Sequence, residues 1–408
     1  MIRAVIALPL AACLSFSGGS NGGDGDGDGD SDAGGADGQA VDCESWGERR
    51  FFDACTHSVH FDAPLSPLVL DQTGTYRIDT TNVTLTSPDS NAIDIGAVVA
   101  LTDAYGNLVD SHLIVVSEVE IDAAATLEVL GAHPLVIASI GDVVIAGAID
   151  ISSGADRRGA GAGLVDDGRC ANLDGEDNID GGSGGGGGGL AFDGGRGGDG
   201  RLGASVGASG GASLFTLQSP LSGGCPGGQG GDGDTGAGGL GGSGGGAIVL
   251  SAIGNVSIAG LIDAGGEGGK GQIDARRNGG GGGGSGGLIA LEGGAVILTS
   301  SSTTTANGGG GGGGSNNLVG PSLDGADGRR APFRAQGGEG EGLGTSPDGG
   351  SGGGGGSLTD FVGLSGFAGD RGGGGGGGGA GVILALTTQL DNNGVVSPLV
   401  TADSPPYD

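Results

Sequence analysis

"AIVLSAIGNVSIAGLID", residues 247–263, is an apolar stretch set between "GAGGLGGSGGG" (236–246) and "AGGEGGKG" (264–271). Its first part, Ile248-Val249-Leu250, is a short continuous apolar run. A polar corner, Gly254-Asn255, follows. In the second part Val256, Ile258, Gly260 and Ile262 alternate with Ser257, Ala259, Leu261 and Asp263. A period of two reads as strand rather than helix.

The stretch has a near copy. Residues 135–150, "LVIASIGDVVIAGAID", align without gaps on 248–263, "IVLSAIGNVSIAGLID". Val136 meets Val249, Ile140-Gly141 meets Ile253-Gly254, and Ile149-Asp150 meets Ile262-Asp263. Weaker copies begin at 288–308 and 379–390, and 113–131 has a similar beat. One copy cannot bury its own apolar row, so copies must stack. The expected fold is all-β: a right-handed parallel β-solenoid of strand–corner–strand units.

Between the copies lie glycine-rich insertions at 155–246, 265–286 and 307–379. They leave each unit after the alternating strand and return before the next apolar run. Glycine supplies 107 of the 408 residues. Ordering it costs more backbone entropy than ordering any other residue, with no side chain to bury in return. Backbone hydrogen bonds can offset part of that cost. Extended glycine chains pack closely because no Cβ intervenes, so the tracts are expected to pack as polyglycine-II strands beside the solenoid.

The chain divides accordingly. Residues 1–12 read as a signal peptide, with Arg3 ahead of an apolar run. Residues 13–42 form an acidic Gly/Asp tether that cannot bury a core. Residues 43–133, richer in bulk through Phe51, Phe52, Phe61 and Tyr76, are expected to cap the solenoid. The solenoid spans 134–400, and 401–408 is a polar tail. Leu10-Ala11-Ala12-Cys13 has the form of a lipobox, which makes Cys13 a lipidation site and places the protein, exported, at an outer membrane. No other stretch has the ~18–20 apolar residues of a spanning helix.

Removing Cys13 leaves Cys43, Cys55, Cys170 and Cys225. Four cysteines allow three connectivities. The pairs nearest in sequence, Cys43–Cys55 and Cys170–Cys225, are favoured in an oxidising compartment.

Composition excludes several functions. The formal charge is −32 and Lys270 is the only lysine, so nucleic acid is not an expected partner. Asp24, Asp26, Asp28 and Gly29 match the start of a calcium loop, but the twelfth position is Gly35, which leaves weak Ca2+ association at most. "GGRGGDGRL" (194–202) departs from the calcium-binding nonapeptide at Arg201. "CTHSVHFD" (55–62) has ligand types but no structural zinc spacing. No cofactor is expected.

The order of 134–154, the Cys170 and Cys225 glycine tracts, 241–266 and 279–291 resembles glycine-rich predicted lipoproteins of myxobacteria, over roughly 130–390. The resemblance implies location and architecture, not chemistry. In composition alone the chain is similar to PE-PGRS proteins.

The leading expectation is a lipid-anchored, surface-exposed structural or adhesive protein without catalytic activity. Its partners would be the membrane, through the lipid, and polysaccharide, matrix or other cells. The alternatives are a β-helix enzyme acting on acidic polysaccharide and an ice- or crystal-binding protein. The first would use Asp166, Asp167, Asp174, Glu176 and Asp177 with Arg157, Arg158 and Arg169 as nearest cations. The second would use Thr303-Thr304-Thr305. His57, His60, His112 and His133 form no arguable catalytic triad.

Overall fold

Isoleucine and valine at every second position bury one row per strand, and the computed structural model stacks those rows into three sheets. It describes residues 46, 49–57, 60, 65–163, 170, 171, 173–213, 215, 216, 218–234, 236–272, 277–316, 321–342 and 349–403. Among these, helix is almost absent.

The chain opens with β1 (Leu68–Leu70) and β2 (Gly74–Asp79). The short additions β3 (Thr84–Thr86) and β4 (Ala92–Asp94) precede a hairpin of β5 (Ala97–Thr102) and β6 (Leu108–Val116). Then come β7 (Val119–Ile121) and β8 (Ala125–Leu130). The first aligned copy supplies β9 (Leu135–Ser139), β10 (Val143–Ile145) and β11 (Ala148–Asp150). The second supplies β12 (Ala247–Ala252), β13 (Val256–Ile258) and β14 (Leu261–Asp263). The weaker copies give β15 (Leu288–Glu292), β16 (Val296–Leu298) and β17 (Thr303–Thr305), then β18 (Val382–Leu386), β19 (Leu390–Asn392) and β20 (Val395–Ser397). The edge strand β21 (Val400–Asp403) ends the series.

The sheets run β1-β7-β10-β13-β16-β19, β20-β17-β14-β11-β8-β2-β3-β4 and β21-β18-β15-β12-β9-β6-β5. All pairings are parallel except those of β3, β4 and β5 with their neighbours. The gap-free alignment is the pairing register: Val136 opposes Val249, Val143 opposes Val256, and Ile149 opposes Ile262.

Three readings of the sequence are corrected here. First, the alternating segment 256–263 is two strands in different sheets, not one. Ala259 and Gly260 turn the corner, both N–H groups donating to the Ile145 carbonyl at 2.8 and 3.0 Å. A Cβ on Gly260 would lie 1.7 Å from the Gly147 carbonyl oxygen of the unit below. Corners stacked this tightly admit only glycine, so alternation continues across the bend while the sheet changes. Second, the stacking reaches above residue 134: β6, β7 and β8 form a full unit that pairs with β9, β10 and β11. Third, Thr401–Asp403 are not tail but part of β21, paired with β18.

The core lies between the sheets. Ile137, Ile145, Ile149, Ile248, Ile258, Ile262, Ile289 and Ile383 are fully buried in one cluster. The sheet containing β9, β12, β15 and β18 is buried on both faces, which explains why those strands read as unbroken apolar runs. Its outer face packs on Trp46, Phe51, Phe52, Leu190 and Leu221.

The glycine insertions form a second, hydrogen-bonded body. In tract 279–287 successive N–H groups turn to three different neighbours. Gly279, Gly282 and Ser285 donate to Gly231, Gly228 and Cys225. Gly280, Gly283 and Gly286 donate to Gly373, Gly376 and Gly379. Gly281, Gly284 and Gly287 donate to Lys270, Glu267 and Ala264. The same tract accepts from 185–188, 239–245 and 309–312, so six tracts surround it. Tracts 182–190, 306–316 and 371–381 are enclosed in the same way. These four contain the longest pure glycine runs, 184–189, 279–284, 308–314 and 372–379. Around them lie 173–178, 223–232, 237–246, 264–272, 322–329, 335–341, 349–357, 361–370, 193–200 and 205–213. Neighbours in this outer ring bond to one another through backbone groups, and Glu176 closes it by accepting from the Val206 N–H at 2.8 Å.

Candidate functional site

One column of polar side chains runs up the second sheet, at the last position of the strands from which the insertions leave. In register it reads Arg77, Glu128, Asp150, Asp263, Thr305, Ser397. Stacking puts Asp150 directly beside Asp263, and both are buried. Two like charges in that position require a cation.

The insertions supply it. Arg330, from the third insertion, bridges the pair: Nε lies 2.8 Å from Asp263 Oδ2 and Nη2 lies 2.7 Å from Asp150 Oδ2. Arg157, from the first insertion, places Nη1 2.8 Å from Asp150 Oδ2 and 3.1 Å from Glu128 Oε1. Arg77 Nε is 2.7 Å from Glu128 Oε2. The other oxygens are also held. Asp150 Oδ1 accepts from the Ser152 N–H and hydroxyl at 3.0 and 2.6 Å, and Asp263 Oδ1 accepts from Thr305 Oγ1 at 2.9 Å.

Burial pushes the Asp263 carboxyl above its ordinary value, with Arg330 pulling the other way. Burial would lower Arg330, but Asp263 and Asp150 outweigh it and raise it. Arg157 behaves alike: burial lowers it, and Asp150 and Glu128 carry it upward. Every carboxylate of the column thus faces a guanidinium or a hydrogen-bond donor.

A polar cleft of about 380 Å³ opens beside the column, lined by Arg77, Glu128, Asp156, Arg157 and Asp327. An apolar cleft of about 490 Å³ lies against the outer face of the third sheet, between Phe192, Phe215, Phe361, Val382, Leu384 and Leu399. Phe192 and Phe361, from different insertions, stack there with ring centroids 4.5 Å apart.

The sequence-nominated acids do different work. Asp166, Asp167 and Arg169 lie outside the described residues. Asp174 Oδ1 and Asp177 Oδ1 each accept a backbone N–H, from Gln229 and Asp232, at 2.8 Å. Asp324 and Asp327 do the same for Gly271 and Gly268 at 2.8 and 2.9 Å. Asp199, in the nonapeptide-like stretch, accepts from the Gly207 N–H at 2.9 Å. Arg158 bonds the Ala162 carbonyl. Thr304 and Thr305 are buried, so the threonine run offers no flat hydroxyl surface.

Cys170 and Cys225 are joined, with Cα atoms 5.3 Å apart. Cys55 is disulfide-bonded, while Cys43 and the lipidation candidate Cys13 lie outside the described residues. Among the described residues no group of histidine, cysteine and acidic side chains could hold a metal ion, and no helix is long and apolar enough to cross a membrane.

Sequence reasoning missed Glu128, Arg330 and the spacing inside the insertions. The signal for Arg330 was the aligned pair Asp150 and Asp263, which demanded a counter-charge. The signal for the outer ring was a local three-residue beat: Asp174/Asp177/Asp180, Asp193/Arg196/Asp199, Leu240/Ser243, Glu267/Lys270 and Asp324/Asp327.

Compared with family models, curated proteins and solved structures, the chain matches none.

Proposed function

We propose that this is a lipid-anchored display protein of the cell surface, structural or adhesive rather than catalytic. Cys13 carries the lipid, residues 13–42 form the acidic tether, and the three sheets wind as a right-handed β-solenoid. The insertions form a polyglycine-II bundle clipped to its side. A threefold extended chain has three residues per turn and no internal hydrogen bonds, so its N–H groups leave in three directions. The bonding of Gly281, Gly282 and Gly283 to three separate tracts supports that geometry.

The observation that carries the reading is the division between inner and outer tracts. The four enclosed tracts carry their pure glycine runs where no side chain fits, and the ring around them holds exposed side chains such as Leu240, Leu364 and Phe367. Such a body has a satisfied backbone inside and a decorated surface outside, which suits presentation to polysaccharide, matrix or another cell. A net hydrogen bond contributes about 0.5–1.5 kcal/mol, and fixing one residue's backbone costs about 1–2 kcal/mol. The bundle therefore depends on anchors, and the Cys170–Cys225 bridge, Arg157 and Arg330 provide them.

Two measurements test the proposal. Proteolysis of intact cells, read by mass spectrometry, should release peptides of 173–379, and the mature amino terminus should be an acylated Cys13. A gene deletion should reduce adhesion to matrix or glycan. Protection of the protein on intact cells, or unchanged adhesion in the deletion, would refute display.

A further inference from the structure

The polar cleft of about 380 Å³ lies where the second sheet meets the first and third insertions. Gly154 lines it, in a tight turn. The Gly154 N–H donates to the Arg157 carbonyl at 3.0 Å, and the Arg157 N–H donates to the Gly154 carbonyl at 3.1 Å. A Cβ on Gly154 would stand 3.5 Å from Asp327 Oδ2 and 3.6 Å from Arg157 Nε. An acceptor and a donor thus flank the same open point. Arg157 commits Nη1 to Glu128 and Asp150 and Nη2 to Ser152, and Asp327 commits Oδ1 to the Gly268 N–H. Among the described residues, Arg157 Nε and Asp327 Oδ2 therefore have no hydrogen-bond partner. Arg77, bonded to Glu128 through Nε, is 59% exposed, and Asp156 is exposed in the turn. Leu130 and Ala155 complete the lining with apolar surface.

We propose that this cleft binds an uncharged sugar residue of a polysaccharide. A hydroxyl is donor and acceptor at once. Entering over Gly154, it donates to Asp327 Oδ2 and accepts from the Arg157 Nε–H. Arg77 and Asp156 offer a second donor and a second acceptor to a neighbouring hydroxyl. Paired donors and acceptors beside a small apolar wall suit a ring that carries hydroxyls on its rim and C–H groups on its face. A few convergent polar groups in a pocket of roughly 300–1,000 Å³ are the usual form of a small-ligand site. Charge also selects. Glu128 and Asp150 already neutralise Arg77 and Arg157, and the chain carries −32, so a sugar carboxylate meets net repulsion. An ammonium would meet two guanidiniums. This step rests on the polysaccharide partner of the display reading and gives that partner a site and a sugar class.

The test is isothermal titration of the purified full chain with cellohexaose, laminarihexaose and maltohexaose, with uronic-acid and amino-sugar oligomers for comparison. At least one neutral oligomer should bind with Kd below about 1 mM. Its affinity should change less than about twofold as ionic strength rises from ~0.05 to ~0.5 M, because no charge pair forms. Gly154→Ala should weaken binding at least about tenfold. Its methyl group fills the point between Asp327 and Arg157 at ordinary contact distances, so the turn survives. Unchanged hydrogen exchange in Leu135–Ser139 and Ala247–Ala252 checks that survival. Phe361→Ala, in the apolar cleft, should leave binding as it is. Absence of binding to all three neutral oligomers would overturn the inference. So would tighter binding of a charged oligomer, full affinity in Gly154→Ala, or loss in Phe361→Ala. The titration is done in solution, so its failure leaves the lipid anchor and surface exposure standing, and a protein hidden on intact cells leaves this site standing.

Discussion

Gly282 faces the Gly186 carbonyl so closely that a Cβ on Gly282 would stand 2.0 Å from that oxygen. Gly281 and Gly283 stand in the same relation to Leu240 and Gly309, at 2.0 and 2.2 Å. Three consecutive residues thus press on three different tracts, and every obstacle is backbone, which cannot rotate away. Gly282→Ala should destabilise by about 1–3 kcal/mol or more, as overpacking does. It should also raise hydrogen exchange in 184–189 and 372–379. Ser243→Ala, on the outer ring, should change neither by more than about 0.5 kcal/mol. Equal protection in the two variants would show that the tracts are not packed as described.

Arg330 tests the column. It is the group that touches both buried carboxylates; its side chain is half exposed and Asp150 keeps Arg157, so the buried-pair cost is discounted to about 1–3 kcal/mol. Arg330→Ala should lower the denaturant midpoint by that equivalent and make the third insertion the first site of limited proteolysis. Arg330→Lys should recover part of the loss, because a single ammonium cannot reproduce the planar fork that spans two rungs. Full stability in Arg330→Ala would mean that Arg157 alone suffices for the pair.

The Cys170–Cys225 bridge spans 55 residues, most of the first insertion's glycine. In the chain-entropy model, closing a loop of that length contributes about 4 kcal/mol. Replacing both cysteines by serine should therefore loosen tracts 173–178 and 223–232 selectively. Hydrogen exchange should rise there while the strands Leu135–Ser139 and Ala247–Ala252 keep their protection. Uniform loss across the chain would make the two bodies one cooperative unit.

Much of the sheet architecture was legible because identical residues stack on identical residues: Val136 on Val249 and Ile149 on Ile262 give the repeat and its register together. The corner at Ala259–Gly260 was not legible. Period-two alternation is blind to a bend that keeps the same face inward, and only the carbonyl of Gly147 reveals the crowding. The disulfide partners Cys170 and Cys225 were nearest neighbours in sequence, so they needed no knowledge of the fold. The column was half visible, since Asp150 and Asp263 align. Arg330, however, lies in another insertion and reaches them only through the folding of that insertion. The outer ring failed for a different reason. A three-residue beat broken by pure glycine runs does not register as a continuous period, although the breaks themselves mark the enclosed tracts.

His112 gives the chain a defined acid response. It lies in β6, fully buried, with Nε2 2.6 Å from the Ile95 carbonyl oxygen and Nδ1 without a partner among the described residues. Burial lowers its affinity for a proton, the Ile95 carbonyl opposes that, and His133 adds to it. A histidine depressed in the folded state binds its proton more readily when unfolded. Its contribution to stability is therefore complete above the ordinary histidine range and is lost as pH falls below about 6.5. One proton sets the limit at about 1.4 kcal/mol per pH unit. His112→Gln keeps a donor for Ile95 and removes the titration. Chemical unfolding between pH 7 and pH 5 should show a shallower loss in the variant than in the parent, and parallel slopes would assign the acid response to other groups.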